Sequence, residues 1–151
     1  MLPKNELIFL SCLRNGARKN LTSISKELNV PVSTLFEKLK RLERTEIIRH
    51  TSLIDFNTLG YSTRANILIK ADRNSREELK NYLRNSEYVN SVFKITNGYD
   101  FMVEGIFRNM LELEQFSENL EDKFNIHSKS VYFIIDDIER ENFLLNKHLI
   151  N

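Results

Sequence analysis

Past Gly60 the spacing of apolar residues changes period, and no single regular element accommodates both patterns. Before it they recur every three or four positions, as Phe9 and Leu13, Leu21, Ile24 and Leu28, then Leu35, Leu39 and Leu42. After it Ala65, Ile67, Ile69 and Ala71 alternate with Arg64, Asn66, Leu68 and Lys70. The first spacing is that of amphipathic helices at about 3.6 residues per turn, the second that of a half-buried strand. The chain is therefore read as a helical part followed by an α/β part. With 151 residues to share, each buries only a small core. Association with another subunit is expected to supply part of the stability.

In the helical part, the spacing predicts a first helix from about Pro3 to Asn15, with Leu2, Phe9, Leu10 and Leu13 inward and Gly16 as its stop. A second runs from Leu21 to Leu28 behind Asn20 as N-cap, burying Leu21, Ile24, Ser25 and Leu28. A third begins at Pro31, proline being tolerated at a first helical position, and runs to about Thr45. Leu35, Leu39 and Leu42 form its apolar stripe. At about 100° per residue, Ser33, Glu37, Lys40 and Arg44 fall opposite, flanked by Phe36 and Arg41. Two helices joined by about three residues, the second basic outside, match the helix-turn-helix plan. The same face also reads as a solvated, charged surface on a small bundle.

Ile47 to Ile54 reads as a short strand, and Asp55 to Gly60 as a turn and hinge. Beyond the alternating strand at 64–71, Leu79 and Leu83 mark a helix from about Ser75 to Arg84. A second strand carries Val89, Ser91, Phe93 and Ile95 on one side. Asn97-Gly98 is a turn dipeptide. A third strand carries Phe101, Val103, Gly105 and Phe107, and a helix from Met110 to about Phe124 buries Leu113, Phe116, Leu120 and Phe124. Ser130 to Ile138 is the last strand. The order β-α-β-β-α-β is the ferredoxin-like arrangement, an antiparallel sheet with both helices on one face. Its other face would show Arg64, Asn66, Leu68 and Lys70 beside Met102, Glu104 and Ile106, a mixed surface suited to a subunit interface. The expected division is 1–48 for the helix-turn-helix, 49–61 for a strand and hinge linker, and 62–151 for an α/β dimerisation and effector domain. The fold class is thus α+β.

Charge follows the same division. Residues 1–58 hold ten Lys/Arg against six Asp/Glu, and the remainder twelve against fifteen, so a basic third precedes an acidic remainder. Any polyanion is expected on the N-terminal part. Cys12 is the single cysteine, set among apolar residues, and reads as a buried thiol. No apolar run approaches the ~20 residues of a membrane span, and Lys4 and Glu6 interrupt any leader, so a cytoplasmic protein is expected. His50, His127 and His148 stand at no metal-ligand spacing, and neither a nucleophile elbow nor a phosphate loop is present. No metal, cofactor or catalytic activity is expected.

If the third helix enters a major groove, its N-terminal residues meet base edges and its basic residues meet phosphates. Ser33 and Glu37 are the candidate base readers with Thr34 beside them, glutamate accepting from cytosine N4, while Phe36 can touch a thymine methyl. Lys38, Lys40, Arg41 and Arg44 would neutralise phosphates, with Arg49 and His50 just beyond the helix.

Taken in order, several short stretches resemble the Lrp/AsnC family of bacterial and archaeal feast/famine regulators. They are Phe9-Leu10 with Leu13, Arg18, Val30 through Glu43, Glu46-Ile47-Ile48, Asp55 with Leu59-Gly60, and Thr96-Asn97-Gly98-Tyr99-Asp100. The resemblance implies a winged helix-turn-helix joined to a ferredoxin-like regulatory domain. It further implies binding to double-stranded DNA, homodimers that assemble into octamers or similar even-numbered rings, and often an amino acid effector. It assigns Gly98, Tyr99 and Asp100 to the effector pocket. Glycine allows close backbone approach, and Asp100 could hold an α-ammonium group; the same stretch also reads as a plain hairpin turn with a solvated aspartate. Three positions depart from the family's pattern. Pro31 stands where a serine is usual, Lys38 replaces an arginine and loses its bidentate geometry, and Glu46 occupies a glycine position in the turn after the helix.

Two other readings stay open. Sirohaem decarboxylases are similar in this two-part fold, but Phe93 to Met102 contains no histidine. A co-regulator that dimerises without binding DNA itself would accommodate Glu37, Glu46 and the missing serine.

Overall fold

Helix boundaries follow the local signals closely. In a computed structural model, which describes residues 2–16 and 19–145, three helices form: α1 (Lys4–Asn15), α2 (Leu21–Leu28) and α3 (Val32–Thr45). The Asn20 side-chain oxygen accepts the Ser23 N–H at 2.8 Å, capping one of the donors a helix start leaves unpaired. α2 ends on Asn29, whose φ of 53° is left-handed, a region asparagine tolerates better than most residues. The Ser25 hydroxyl then donates to the Val30 carbonyl at 2.6 Å and closes the three-residue connection to α3. Pro31 stands just before α3 rather than as its first residue, and its carbonyl accepts the Leu35 N–H at 3.1 Å.

Phe9, Cys12, Ile24, Leu35 and Leu42 make the core of this unit, each almost wholly buried. The phenylalanine, isoleucine and leucine side chains among them contribute about 1.5–3 kcal/mol apiece. Residues 138–145 also pack with this unit. Arg14 donates to both the carboxylate and the carbonyl of Glu141 at 2.9 Å, and buried Ser11 donates to the Leu145 carbonyl at 3.2 Å.

The strand expected at Ile47 to Ile54 is absent. Residues 47–55 have no regular secondary structure, and among the described residues no strand pairs with them, so there is no ladder to make them one. Ile48 is 99% exposed. The wing implied by the family resemblance therefore has no strand here. The turn that follows is as expected: an Asp55 carboxylate oxygen accepts the Asn57 N–H, Thr58 donates to the Asp55 carbonyl, and Gly60 takes a φ of 86°.

The second unit spans Ile54–Asp137. It contains β1 (Thr63–Ala71), α4 (Arg76–Asn85), β2 (Val89–Lys94), β3 (Phe101–Phe107), α5 (Met110–Lys123) and β4 (Ile126–Phe133). The strands lie in the order β2-β3-β1-β4, all antiparallel, which is the ferredoxin-like topology. Ala65, Ile67, Ile69 and Ala71 of β1 pack with Val103 and Phe107 against Leu79 and Leu83 of α4 and Leu113, Phe116 and Leu120 of α5. Both helices thus cover one face of the sheet.

Two expectations fail here for reasons of pairing. β2 carries an irregularity between Val89 and Ser91, so that Val89 pairs with Gly105 but Ser91 with Glu104. One extra residue turns every later side chain to the opposite face. Val89 and Val92 face the core, while Phe93, expected with Val89, lies opposite Met102 and is 50% exposed. β4 runs four residues earlier at its start than expected and stops at Phe133. Its extent is set by β1, with Ala71 opposite Ile126 and Ala65 opposite Phe133, and Ile135 and Ile138 beyond it are exposed.

Candidate nucleic-acid face and effector cleft

α3 buries Leu35 and Leu42 and turns its other side outward. Ser33, Thr34, Phe36, Glu37, Lys40, Arg41 and Arg44 are all exposed, and Lys38 is half-buried on the flank. The arrangement is less free than the sequence suggests. Arg41 is held by the Glu6 carboxylate of α1, and the Lys40 ammonium sits 4.4 Å from the centre of the Phe36 ring. A cation over an aromatic face is attracted by about 0.5–1 kcal/mol at an exposed site. Lys40 and Phe36 therefore form one small surface feature. Arg49 and His50 lie on the irregular segment after α3, exposed, with His50 Nε2 3.0 Å from the Glu43 carboxylate. Glu46 ends α3 at φ −106° and ψ −28°, a conformation that asks for no glycine. Arg18 and His148 lie outside the described residues.

The residues expected around an effector separate in space. Asn97 and Gly98 take φ values of 66° and 96°, the left-handed pair that a tight turn between antiparallel strands favours. Added carbon at Gly98 would meet nothing within 4 Å, so its backbone angle, not crowding, requires glycine. The Tyr99 hydroxyl reaches Ser130 at 2.7 Å, in the middle of β4. Asp100 is committed on both oxygens. One accepts the Ala71 N–H at 3.0 Å, and the other meets Arg76 at 2.9 Å.

Of the three, only Asp100 lines a cleft, of about 440 Å³, between α4 and β2. β2 is an edge strand, so the cleft is open on the side away from β3. Val89, Val92 and Phe101 give it an apolar floor, and Arg76, Lys80, Arg84 and Lys94 rise around it. Lys80 is paired with Glu77 at 3.0 Å, and Arg76 with Asp100. Arg84 and Lys94 are exposed and carry no such partner among the described residues. The Arg76 Nε–H is closed off from solvent without an acceptor, a state that costs about 1–3 kcal/mol. The four cations were not picked out as a site from the sequence. The signal was present: Arg76, Lys80 and Arg84 recur every fourth residue and so share one helix face.

The sheet face away from the helices holds a polar cluster amid apolar residues. Arg64 Nε donates to Glu104 at 2.8 Å and its Nη1 to Asp137 at 2.6 Å, while Asn90 and Ser91 donate to the other Glu104 oxygen. Burial pushes the Glu104 carboxyl up, but these donors and the Arg64 charge outweigh it and hold it below the usual carboxylate range. Burial likewise works against the Arg64 charge, and the hydrogen bonds and charges of Asp137 and Glu104 overcome it, raising its pKa. Around the cluster lie half-buried Leu68 and Met102, nearly buried Ile106, and exposed Phe93 and Tyr132.

Among the described residues no three His, Cys, Asp or Glu side chains gather as metal ligands, and no helix is long and apolar enough to cross a membrane.

Residues 64–142 match the Lrp/AsnC ligand binding domain. The chain is 27% identical over 137 residues to an uncharacterised HTH-type transcriptional regulator of Pyrococcus horikoshii, covering 90% of this chain and 92% of that protein. It is 32% identical over 108 residues to the HTH-type transcriptional regulator FL11 of Pyrococcus abyssi, covering 71% and 72%. In fold it is similar to a transcriptional regulator of Neisseria meningitidis solved in complex with L-methionine, at a TM-score of 0.85 and 19% identity over 93% of this chain and 94% of that one.

Proposed function

The chain belongs to the Lrp/AsnC family, and from that premise we propose that it is a transcription regulator that binds specific sites on double-stranded DNA. The single observation carrying this reading is the outward face of α3. Ser33, Thr34 and Glu37 stand exposed at its N-terminal end, and Lys40 and Arg44 further along. In a helix-turn-helix, that end meets base edges and the later cations meet phosphates. α3 starts without a side-chain cap, which leaves the N–H groups of its exposed first turn for a phosphate. Lys38, Arg41 and Arg49 belong to the same proposed surface, with Arg41 released from Glu6 on binding.

A second copy covers the sheet face around Leu68, Met102, Ile106 and Phe93, because an apolar surface with a satisfied polar cluster at its centre suits a subunit interface. Two α3 helices would then address a two-fold symmetric site about one DNA turn apart, ~34–36 Å. Higher even-numbered assemblies such as octamers follow from the family. An amino acid effector binds beside Gly98, Tyr99 and Asp100, with Asp100 placing it in the cleft along β2. The relative solved with L-methionine supports an effector of this class. The residue ranges 1–48, 49–61 and 62–137 serve DNA binding, connection and assembly.

The test is fluorescence anisotropy with duplex DNA from upstream of the protein's own gene, across a salt series, with and without an amino acid pool. Saturable, competitor-resistant binding that weakens steeply with salt is expected. Absence of DNA affinity even at low salt would overturn the reading in favour of a co-regulator.

A further inference from the structure

We propose that the cleft between α4 and β2 selects an effector with two carboxylates, an acidic amino acid or a similar short dicarboxylate. The proposal rests on the effector reading above and adds to it the chemical class of the ligand.

Four cations, Arg76, Lys80, Arg84 and Lys94, and two acids, Glu77 and Asp100, line the cleft, an excess of two positive charges. Both acids are already spent on Arg76 and Lys80. The cations with no ion-pair partner among the described residues are therefore Arg84 on the helix wall and Lys94 on the strand wall, one from each side. A row of lysines and arginines on an isolated helix is ordinarily a solvated surface. Here β2 rises opposite the row and makes it concave, and a volume of 440 Å³ lies within the range of small-molecule sites.

Steps of four residues place Arg76, Lys80 and Arg84 about 6 Å apart along the helix axis. One carboxylate sits near Arg84 and Lys94. Arg76 starts about 12 Å away along the axis, so its side chain and that of Arg84 must both bend inward for the second carboxylate of a short ligand to reach it. That second oxyanion would give the closed-off Arg76 Nε–H the acceptor it lacks, after a small turn of the side chain. Val89, Val92 and Phe101 would cover the methylene groups between the carboxylates. A neutral amino acid brings a single carboxylate, which can answer Arg84 and Lys94 but leaves none for Arg76, so the cleft discriminates by the second carboxylate.

Isothermal calorimetry on the full-length protein tests this, with L-glutamate, glutarate, L-glutamine, L-methionine and inorganic phosphate as ligands. L-glutamate or glutarate should bind at least tenfold more tightly than L-glutamine. Arg84→Gln and Lys94→Gln, both at exposed positions, should each weaken that binding about tenfold, while Lys26→Gln on α2 should not change it. Thermal unfolding without ligand confirms that the variants fold. If L-glutamine or L-methionine binds as tightly as L-glutamate, or the two cation variants leave acid binding unchanged, dicarboxylate selection is wrong and the effector reading survives. Tighter binding of phosphate than of any dicarboxylate reassigns the cleft to phosphorylated ligands and overturns the proposal. If none of the five binds the unmodified protein, the proposal falls together with an amino acid effector at this cleft.

Discussion

The Arg64 guanidinium and the Glu104 carboxylate meet at 2.8 Å across neighbouring strands, on the sheet face away from both helices. Their side chains are 17% and 13% exposed, so each charge depends on the other and on Asn90, Ser91 and Asp137. Glu104→Gln should destabilise the fold by about 1–3 kcal/mol near neutral pH, the cost of weakening charged, part-buried hydrogen bonds. The folded protein holds Glu104 below its ordinary value of 4.5. Its contribution is therefore complete above that value and is lost as pH falls through the lowered folded one. Denaturant titrations of both proteins should show a difference at pH 7 that shrinks below about pH 4. A gap that stays constant with pH would show that the charge is not what matters.

Gly105 is held by crowding. An added Cβ would lie 2.5 Å and 2.7 Å from atoms of the buried Phe107 ring, which also stacks on Tyr88. Gly105→Ala should cost about 1–3 kcal/mol, read as a lower urea midpoint at unchanged slope. A neutral result would mean that the ring moves aside freely.

Asp100 ties the turn after β2 to the end of β1 and to α4. Asp100→Ala loses the bond to the Ala71 N–H and the pair with Arg76, whereas Asp100→Asn can keep the first. The alanine variant should be the less stable of the two, by about 1 kcal/mol in thermal or urea unfolding without any ligand. Equal stability would point to a role for Asp100 outside the fold itself.

On the outer face of α3, Lys40→Ala and Arg44→Ala should weaken DNA binding for every sequence tested. Each should reduce the slope of log affinity against log salt by about 0.9. Glu37→Ala should instead alter which sequences are preferred, since an acidic side chain can read a cytosine but repels phosphate. Unchanged slopes in both basic variants would remove α3 from the interface.

The helices, the β1 alternation and the caps were legible because their signals are local. Asn20 beside Leu21, or Ala65 through Ala71 in period two, carry their meaning within a few residues. The ferredoxin-like order followed from the succession of such segments. The exposed set on α3 was equally readable, since Leu35 and Leu42 being inward puts Lys40 and Arg44 outward.

What tertiary structure alone decided depends on partners distant in the chain. A strand exists only where a ladder accepts it, so 47–54 stayed unpaired and β4 took its length from β1. One extra residue before Ser91 moved Phe93 to the outer face, a slip invisible in β2 by itself because pairing with β3 defines it. Asp100 had the composition of a ligand group, but whether its oxygens were free depended on Ala71 and Arg76, 29 and 24 positions away. The cationic cleft came into being only when α4 was laid along β2. Sequence determines periods, caps and turns through contacts a few residues long; register, pairing and concavity come from long-range packing, which those short contacts do not specify.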